Sequence, residues 1–389
     1  HRDLHSFPTR RSSDLEIDCK GLWLLPGAID MHVHLRDPGM PHKEDMASGT
    51  AAAVAAGVTT VADMPNTRPP TLTTDAFFAK VDRARRVARC NVLFYMGLGA
   101  NNVDAIATVA GHPALAGVKV FLGATTGDLL SGETALLSAL ERIEVPFVFH
   151  AERESVLQAA KDAFAASPTA ADHHVLRPAE AAVDGARFVA SLAAPGRRLH
   201  VCHLSCADEL PFLDPARGIT GEVTPHHLWF TADDTASLGN RLKVNPPVRG
   251  TADRTALRAA LAAGRIAAIA TDHAPHTVDE KALPYPEAPS GVPGVDTMVA
   301  STLALVRDGV LTMARAVDAL SAAPARLLGL KTKGRIAPGC DADLFLWDPA
   351  ATWTPVATDL GTRCGWSPFE GMPLAARPNA VWLGGKRVV

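Results

Sequence analysis

The sequence lacks an apolar run of the roughly 18 residues that a membrane-spanning helix needs, and it has no recognisable signal peptide. We therefore expect a cytoplasmic protein that does not use a membrane as a partner. A net charge of −3 provides no basic excess for binding nucleic acid or an anionic membrane surface. The six cysteines are scattered through 389 residues, which favours free thiols over a disulfide framework.

A glycine-rich phosphate loop is also missing after the first apolar run, which argues against a dinucleotide-binding fold. Instead, short runs that are apolar on both faces alternate with alanine-rich helical stretches, as in a parallel sheet with helical crossovers. Eight such runs predict a (β/α)₈ TIM-like barrel over residues 26–330. The predicted strands are 28–33, 58–63, 91–97, 117–121, 146–150, 198–203, 219–224 and 266–271, and the predicted helices include 46–56, 74–89, 133–143, 179–193 and 253–263.

The two ends of the chain predict a second, smaller domain. Residues 331–389 contain strand patterns without helices between them, and residues 16–25 add about one strand. We expect these segments to form a small β-sandwich whose N-terminal part is truncated. Residues 1–15 show neither strand nor helix periodicity, so we interpret them as a non-native leader.

Polar residues recur at or just beyond the ends of the predicted barrel strands. In a barrel these strand ends converge on one mouth, so residues distant in sequence become neighbours. Each histidine alone could be a satisfied structural residue. Together, imidazole and carboxylate groups are suitable ligands for zinc and similar divalent ions. The set comprises His32, His34, His150, His203 and Asp272.

Lys119 lies inside the apolar strand "GVKVF", where a cationic side chain would carry a high desolvation cost. One interpretation is an ion pair with a neighbouring carboxylate. The other is that its neutral amine has reacted with CO₂, which would give a carbamate able to bridge two metal ions. Together with the histidines, the second interpretation predicts a binuclear site.

Nine motifs, in their usual order from residue 22 to the end, resemble those of the dihydroorotase family within the amidohydrolase superfamily. This resemblance implies a metal-bearing barrel with a small β-sandwich. It also implies reversible hydrolysis of the cyclic amide of (S)-dihydroorotate to N-carbamoyl-L-aspartate, the third step of pyrimidine biosynthesis. The motifs are "PGAIDMHVHLRDPG", "HKEDMASGTAAAVAAGVTTVADMPNTRPPT", "GVKVFLG", "FHAE", "HVCHLS", "TPHHL", "KVNPPVR", "ATDHAPH" and "SPFEGMPL".

The resemblance further implies two divalent ions, expected to be Zn²⁺, that share a hydroxide. The hydroxide would attack the ring amide, and Asp272 would pass its proton to the departing nitrogen unless Asp272 is only a ligand. Some bacterial dihydroorotases carry aspartate where this chain has Lys119. By similarity, His32, His34 and Asp272 hold one metal, His150 and His203 hold the other, and carboxylated Lys119 bridges them.

The substrate's carboxylate needs a cationic partner. Arg36 shares a strand face with His32 and His34, and its planar fork suits a carboxylate. Gly291 permits close approach of backbone to the ring, and Thr125 lies in "GATTGD", which is either a closing lid or a passive turn. With those that the resemblance adds, the expected substrate-binding residues are Arg36, Asn66, Thr125, Asn245, His276 and Gly291.

Four further residues near these motifs are assigned supporting or passive roles. Glu222 and His226 are expected to orient metal ligands by hydrogen bonds. Strand alternation is expected to turn Cys202 away from His203, and the alternative of a further metal contact there stays open. His173, with its neighbour at 174, is expected to be a solvated loop residue.

Two other classes of function stay open. An allantoinase or a hydantoinase would retain the same metal residues, although Arg36, Asn66 and Asn245 favour a substrate with a carboxylate. A non-catalytic barrel that assembles with another enzyme would have lost ligand residues, and none is lost here. We also expect a homo-oligomer, a dimer, that associates with aspartate carbamoyltransferase.

Overall fold

A computed structural model describes residues 18–123 and 129–389. The predicted leader and the predicted Thr125 contact lie outside these described residues. The strands are β1 (Trp23–Pro26), β2 (Ala28–Val33), β3 (Val58–Asp63), β4 (Asn91–Gly97), β5 (Leu115–Phe121), β6 (Phe147–His150), β7 (Leu199–Val201), β8 (Ile219–Val223), β9 (Ala268–Ile269), β10 (Leu344–Trp347), β11 (Thr352–Trp353), β12 (Leu374–Ala375), β13 (Ala380–Leu383) and β14 (Lys386–Arg387).

Helices connect most of the barrel strands, and short turns of other helix types lie between them. The α-helices are α1 (Met46–Ala55), α2 (Thr74–Val87), α3 (Val103–Val109), α4 (Glu133–Arg142), α5 (Glu154–Ala163), α6 (His173–Leu176), α7 (Ala179–Ser191), α8 (Pro225–Trp229), α9 (Thr235–Leu238), α10 (Thr251–Ala262), α11 (Val278–Ala282), α12 (Met298–Arg307), α13 (Met313–Val317) and α14 (Ala323–Leu327). The 3₁₀ turns are Ala170–Asp172, Ala207–Phe212, Pro215–Arg217, Ala232–Asp234, Gly239–Leu242, Val295–Thr297 and Ala357–Asp359, and Asp318–Ala322 is a π-helical turn.

The eight strands β2 to β9 are parallel and neighbour one another in chain order, as the sequence predicts. A parallel bridge between Val33 and His273 joins the end of the series to its beginning, so the sheet closes into a barrel. The predicted and observed bounds agree for β2, β3 and β4. β9 is shorter than predicted at both ends, and three residues after it the chain turns sharply into the barrel mouth at Asp272, where φ is +48°.

The crossover helices cover the outside of the barrel with one apolar side each. In α2, Thr73 caps the first turn by accepting a hydrogen bond from the Ala76 N–H at 3.1 Å. Phe77 and Val81 from this helix are buried, and the ring of Phe77 meets Phe94 of β4 edge-on at 6.4 Å. This packing excludes water from the strands, so the polar residues at their ends are an exception to the apolar core.

The small sheets are built from both sides of the barrel sequence. β1 pairs with β10, β10 with β13 and β13 with β14, while β11 and β12 form a separate antiparallel pair. This arrangement fits the predicted β-sandwich, and β1 ends one residue beyond the proposed domain boundary at 25. All six cysteines are free thiols. Within the described ranges, no helix has the length and apolar character to cross a membrane.

Candidate active site

A small cavity of about 30 Å³ lies at the carboxyl ends of the barrel strands. The fold brings ten predicted site residues into its wall, including all the predicted metal ligands. His276 is not in this wall and instead contacts Arg36 from behind. The ten residues are His32, His34, Arg36, Asn66, Lys119, His150, His203, Asn245, Asp272 and Gly291.

His32, His34 and Asp272 form the first half of the site. The Oδ1 atom of Asp272 lies 3.2 Å from Nε2 of His32 and 3.0 Å from Nε2 of His34. These donor atoms lie close enough together to hold one metal ion. Both histidines point the Nε2 atom at Asp272, so the first half presents three ligand atoms to one point.

The far nitrogens of the same histidines are fixed by hydrogen bonds. Nδ1–H of His32 donates to Oε1 of Glu222 at 2.6 Å, and Nδ1–H of His34 donates to Oδ1 of Asn66 at 2.6 Å. A proton held on Nδ1 leaves the lone pair on Nε2 free for a metal. Glu222 therefore takes the orienting role that the sequence predicts, and Asn66 contacts a predicted ligand.

His150 and His203 form the second half of the site. Nδ1 of His150 and Nε2 of His203 lie 3.1 Å apart, so two nitrogen ligands face each other. Nδ1 of His203, a buried atom, has no hydrogen-bond partner in the described structure. The rings of His32 and His203 lie 5.3 Å apart, which places the two halves side by side.

Lys119 is buried beneath both halves. Its Nζ lies 3.1 Å from Sγ of Cys202 and 5.3 Å from the ring centre of Phe121. Within residues 18–123 and 129–389, no carboxylate lies within ion-pair distance of this nitrogen. In the described chain Lys119 therefore has no carboxylate partner with which to form the simple ion pair.

Cys202 lies inside the barrel rather than turned away from the site. Its sulfur is within 4.8 Å of ligand atoms of His32 and Glu222, in addition to its contact with Lys119. The expected alternation does not hold because β7 already ends at Val201 and His203 adopts a φ of +38°. Cys202 and His203 therefore both face the site.

Three site residues have backbone conformations that favour glycine. The φ angles are +59° for Arg36, +38° for His203 and +48° for Asp272. Such conformations cost on the order of 1–2 kcal/mol each in non-glycine residues, and they persist where the surrounding structure fixes them. Here the turns direct three side chains into the cavity just after the strands end.

Burial and neighbouring charge set the protonation of the ligands. Burial lowers the pKa of His34 to about 4 and also lowers the pKa of His150 and of His203, which leaves these imidazoles neutral. Burial would raise the pKa of Asp272, but the charge of His32 and the hydrogen bond from His34 hold it well below its usual range. His32 differs, because the charges of Asp272 and Glu222 outweigh burial and raise its pKa to about 10, so it would release a proton on binding a metal, whereas the other three imidazoles are already neutral.

Arg36 has its guanidinium in the cavity wall, but the prediction that it shares a strand face with His32 and His34 is wrong, because β2 ends at Val33 and Arg36 adopts a φ of +59°. Its Nε donates to the carbonyl oxygen of Pro275 at 3.3 Å, and its Nη2 lies 3.2 Å from Nε2 of His276. Nδ1 of His276 lies 3.0 Å from Nζ of Lys43. His276 thus supports Arg36 and stands between two cations.

Asn245 reaches the cavity with help from a residue that sequence reasoning misplaced. His173 is buried, not solvated, and its Nε2 lies 2.9 Å from both the carbonyl oxygen of Val244 and Oδ1 of Asn245. This contact joins segments 72 residues apart, which local sequence patterns do not reveal. The expectation of a solvated residue is correct for His174, which is exposed.

Gly291 meets the expected need for a residue without a side chain. Its φ is +134°, and a Cβ atom there would lie 2.6 Å from the carbonyl oxygen of Ala274. The N–H of Gly291 already donates to the carbonyl oxygen of Lys243 at 2.9 Å. Its contribution to the cavity is therefore space rather than a free N–H group.

Glu152 and Asp63 are two supporting carboxylates that the sequence analysis did not identify. Glu152 lies 2.9 Å from Nε2 of His150 and is also paired with Arg177. Asp63 forms a buried ion pair with Lys80 and accepts a hydrogen bond from the N–H of Leu35 at 2.8 Å, next to Arg36. The spacing of Glu152 two residues after His150 could have indicated its position.

His226 does not contact a metal ligand by hydrogen bond. Its ring lies 4.6 Å from that of His227, and its buried Nε2 has no partner in the described part of the chain. Burial and the neighbouring His227 hold the pKa of His226 well below its usual range. The predicted orienting role of His226 therefore stays a prediction.

The Amidohydrolase family model matches residues 23–388. Over 371 residues the chain is 40% identical to the dihydroorotase of Halobacterium salinarum, which covers 93% of this chain and 86% of that protein. It is 33% identical over 395 residues to the dihydroorotase of Methanosarcina mazei, covering 96% of this chain and 86% of that protein. Both similarities extend over nearly the full chain.

Among solved structures, the L-hydantoinase (dihydropyrimidinase) of Arthrobacter aurescens superposes with a TM-score of 0.92 at 27% identity, covering 97% of this chain and 89% of that chain. The dihydropyrimidinase of Brevibacillus agri gives a TM-score of 0.90 at 27% identity, covering 98% of this chain and 87% of that chain. The donor set described above fits the divalent metal centre that this relationship implies. The chain belongs to the amidohydrolase family.

Proposed function

We propose that this chain is a dihydroorotase, which hydrolyses the cyclic amide of (S)-dihydroorotate reversibly to N-carbamoyl-L-aspartate. The observation that carries the proposal is the buried guanidinium of Arg36, placed in one cavity with six metal-binding side chains. The curated relatives named dihydroorotase support the same activity. In the pyrimidine pathway this reaction is the third step.

Arg36 is suited to bind the substrate carboxylate. Its side chain is 1% exposed, and burial lowers its pKa only to about 10, so it stays cationic at neutral pH. Among the described residues, no carboxylate lies within 4 Å of the guanidinium. A buried cation without an anion is costly, and a substrate carboxylate would remove that cost through two parallel hydrogen bonds.

Zinc is the metal that we propose for both halves of the site. His32, His34 and Asp272 would hold one ion, and His150 with His203 would hold the other. Two bound zinc ions would supply an acidified water and polarise the amide carbonyl. The chain's own part is to orient the imidazoles, as the bonds from His32 to Glu222 and from His34 to Asn66 do.

We propose that Lys119 carries a carboxylate group derived from CO₂ and links the two ions. The ammonium group would first lose one proton, and the neutral amine would then attack CO₂, form an N–C bond and lose a second proton, which converts a buried cation into an anion. The lack of a carboxylate partner in the described chain and the proximity to His32 and His203 support this modification. After incubation with ¹³C-bicarbonate we expect a carbamate carbon signal by NMR that Lys119→Arg lacks, and its absence from the wild type would contradict the modification.

Asp272 is the residue that we propose to move the proton. Its carboxylate is ionised, because the charge of His32 and the hydrogen bond from His34 hold its pKa low. It can accept a proton at an oxygen that faces the cavity and deliver it to the ring nitrogen as the amide bond breaks. In ring closure the same oxygen would take the proton back from that nitrogen.

The decisive experiment is a parallel assay of the metal-loaded protein with dihydroorotate, allantoin and hydantoin. We expect turnover of dihydroorotate, and turnover of the other two alone would overturn the proposal. Metal analysis of the same sample should find about two equivalents per chain. One equivalent would contradict the bridged pair.

A hydantoinase is the second candidate, because solved structures of a hydantoinase and a dihydropyrimidinase share this fold closely. The metal residues do not separate the two activities. Arg36 does, because the neutral rings of hydantoin and allantoin give a buried guanidinium no anion to bind. A non-catalytic role is disfavoured since all the ligand residues are present and converge.

We also propose a cytoplasmic homodimer that associates with aspartate carbamoyltransferase, whose reaction would supply N-carbamoyl-aspartate. Light scattering of the purified chain should give twice the mass of 40.9 kDa. A monomer at micromolar concentration would contradict the dimer. Co-sedimentation with the purified transferase would test the association.

A further inference from the structure

A second and larger cavity, of about 510 Å³, lies beside the active-site cavity. The two cavities share Asn245 and Ser290 in their walls. The inner cavity is small, whereas the outer one has room for a small organic molecule. Their common wall places the outer cavity directly beside the site of the metal ligands.

The outer cavity has cationic walls in a chain with a net negative charge. Lys161, Arg177 and Lys243 line it, and no aspartate or glutamate does so among the described residues. Arg177 is paired with Glu152. Nζ of Lys243 donates to the carbonyl oxygens of Pro286 at 2.8 Å and Ala288 at 2.6 Å, and no described carboxylate forms an ion pair with it, although Glu287 lies near enough to act on its charge.

The wall that carries these charges is well fixed. The ring of Tyr285 lies under Nζ of Lys243 at 4.4 Å, and its hydroxyl lies 3.1 Å from Nδ1 of His173. His173 in turn holds Asn245 at the boundary of the two cavities. Lys161 is exposed on α5, and its side-chain amine makes no described hydrogen bond or ion pair, so its charge is available to a ligand.

We propose that the outer cavity is a vestibule that binds anionic substrate and passes it to the metal site. This inference rests on the proposed function, under which dihydroorotate carries one carboxylate and N-carbamoyl-aspartate carries two. Because an electrostatic attraction grows with ligand charge, the vestibule favours the open-chain dianion over the cyclic monoanion. Arg36 then binds one carboxylate in the inner cavity.

The test reverses one exposed charge in the vestibule, with Lys161→Glu. At low ionic strength we expect kcat/KM for dihydroorotate to fall about fourfold and that for N-carbamoyl-aspartate, in ring closure, about 15-fold, with kcat unchanged. Both losses should disappear at about 0.5 M salt, where screening is strong. The matched control is Lys386→Glu on β14, which is exposed in the small sheet and should change neither value.

Equal losses for both compounds, losses that persist at high salt, or no loss would each overturn the vestibule. Calorimetric binding of N-carbamoyl-aspartate, which requires no turnover, separates this outcome from failure of the proposed function. Salt-sensitive binding that Lys161→Glu weakens about 15-fold would support the vestibule even in a protein that does not hydrolyse dihydroorotate. Normal turnover with unchanged binding in Lys161→Glu would overturn the vestibule alone.

Discussion

The two halves of the metal site differ in how firmly hydrogen bonds hold their histidine rings. In the first half, both histidines donate Nδ1–H to an oxygen at 2.6 Å, to Glu222 and to Asn66. In the second half, Nδ1 of His203 has no partner in the described chain, and His150 only approaches Glu152, at 2.9 Å. The first half is therefore organised by the protein itself, whereas the second half depends more on what it binds.

This difference has a physical consequence for metal binding. A ligand whose ring is already oriented loses little conformational freedom on binding, so its affinity is higher. The second half must also recruit Lys119, which has no carboxylate partner in the described structure. We expect the first ion to be held more tightly than the second, and four predictions, which use five substitutions, sharpen or break this difference.

The largest effect is expected for Asp272→Asn, in the first half. Asparagine keeps an oxygen ligand but cannot accept the proton, so kcat should fall by about 10³-fold while metal is retained in part. Steady-state rates and metal analysis on one sample measure both quantities. Asp279→Asn, at an exposed position nearby, is the control and should change neither. Near-normal turnover with full metal would remove the proton role from Asp272.

The next largest effect is expected for Arg36→Ala, which belongs to neither half. Removing the cation should raise KM for dihydroorotate about 100-fold, because the substrate carboxylate loses a charged, buried partner. The metal content should stay at the wild-type value, since Arg36 contacts no metal ligand by hydrogen bond. A variant that loses metal together with substrate affinity would show that Arg36 supports the first half and does not act on substrate alone.

A matched pair of variants compares the halves directly. Glu222→Gln removes the carboxylate that orients His32, and we expect metal affinity to fall about 30-fold by competition with a chelator. Glu152→Gln alters the contact of His150 in the second half and should cost affinity for the second ion only, by a smaller factor. If both variants release the same ion with the same loss, the two halves are equally organised and the difference described above is wrong.

The sequence predicts the part of this site that depends on topology. Apolar runs located the eight strands, and a barrel brings their ends together, so His32, His150 and His203 could be placed without a structure. Contacts between distant segments could not be predicted in this way. His173 reaches Asn245 across 72 residues, and Cys202 faces Lys119 because the chain leaves strand geometry at His203.

The smallest effect concerns Glu44, which supports the first half from behind through His273, next to Asp272. Burial raises the pKa of Glu44 to about 7 from an ordinary 4.5. Its neighbours are the hydroxyl of Ser48, the N–H groups of Asp45 and Arg363, and Nε2 of His273 at 3.8 Å. The folded protein thus holds a proton that the unfolded chain releases. The contribution of Glu44 to the free energy of unfolding is therefore fully present below about pH 4.5 and is lost as the pH rises through about 7.

Glu44→Gln stays uncharged and should escape this loss. We expect its melting temperature, relative to the wild type, to be a few degrees higher at pH 8 than at pH 5. Calorimetry at the two pH values measures this difference, and Glu141→Gln, at an exposed position, should show none. An equal offset at both pH values would mean that Glu44 is already ionised in the folded protein. The support that Glu44 gives to the first half through His273 would then not depend on pH or on a buried proton.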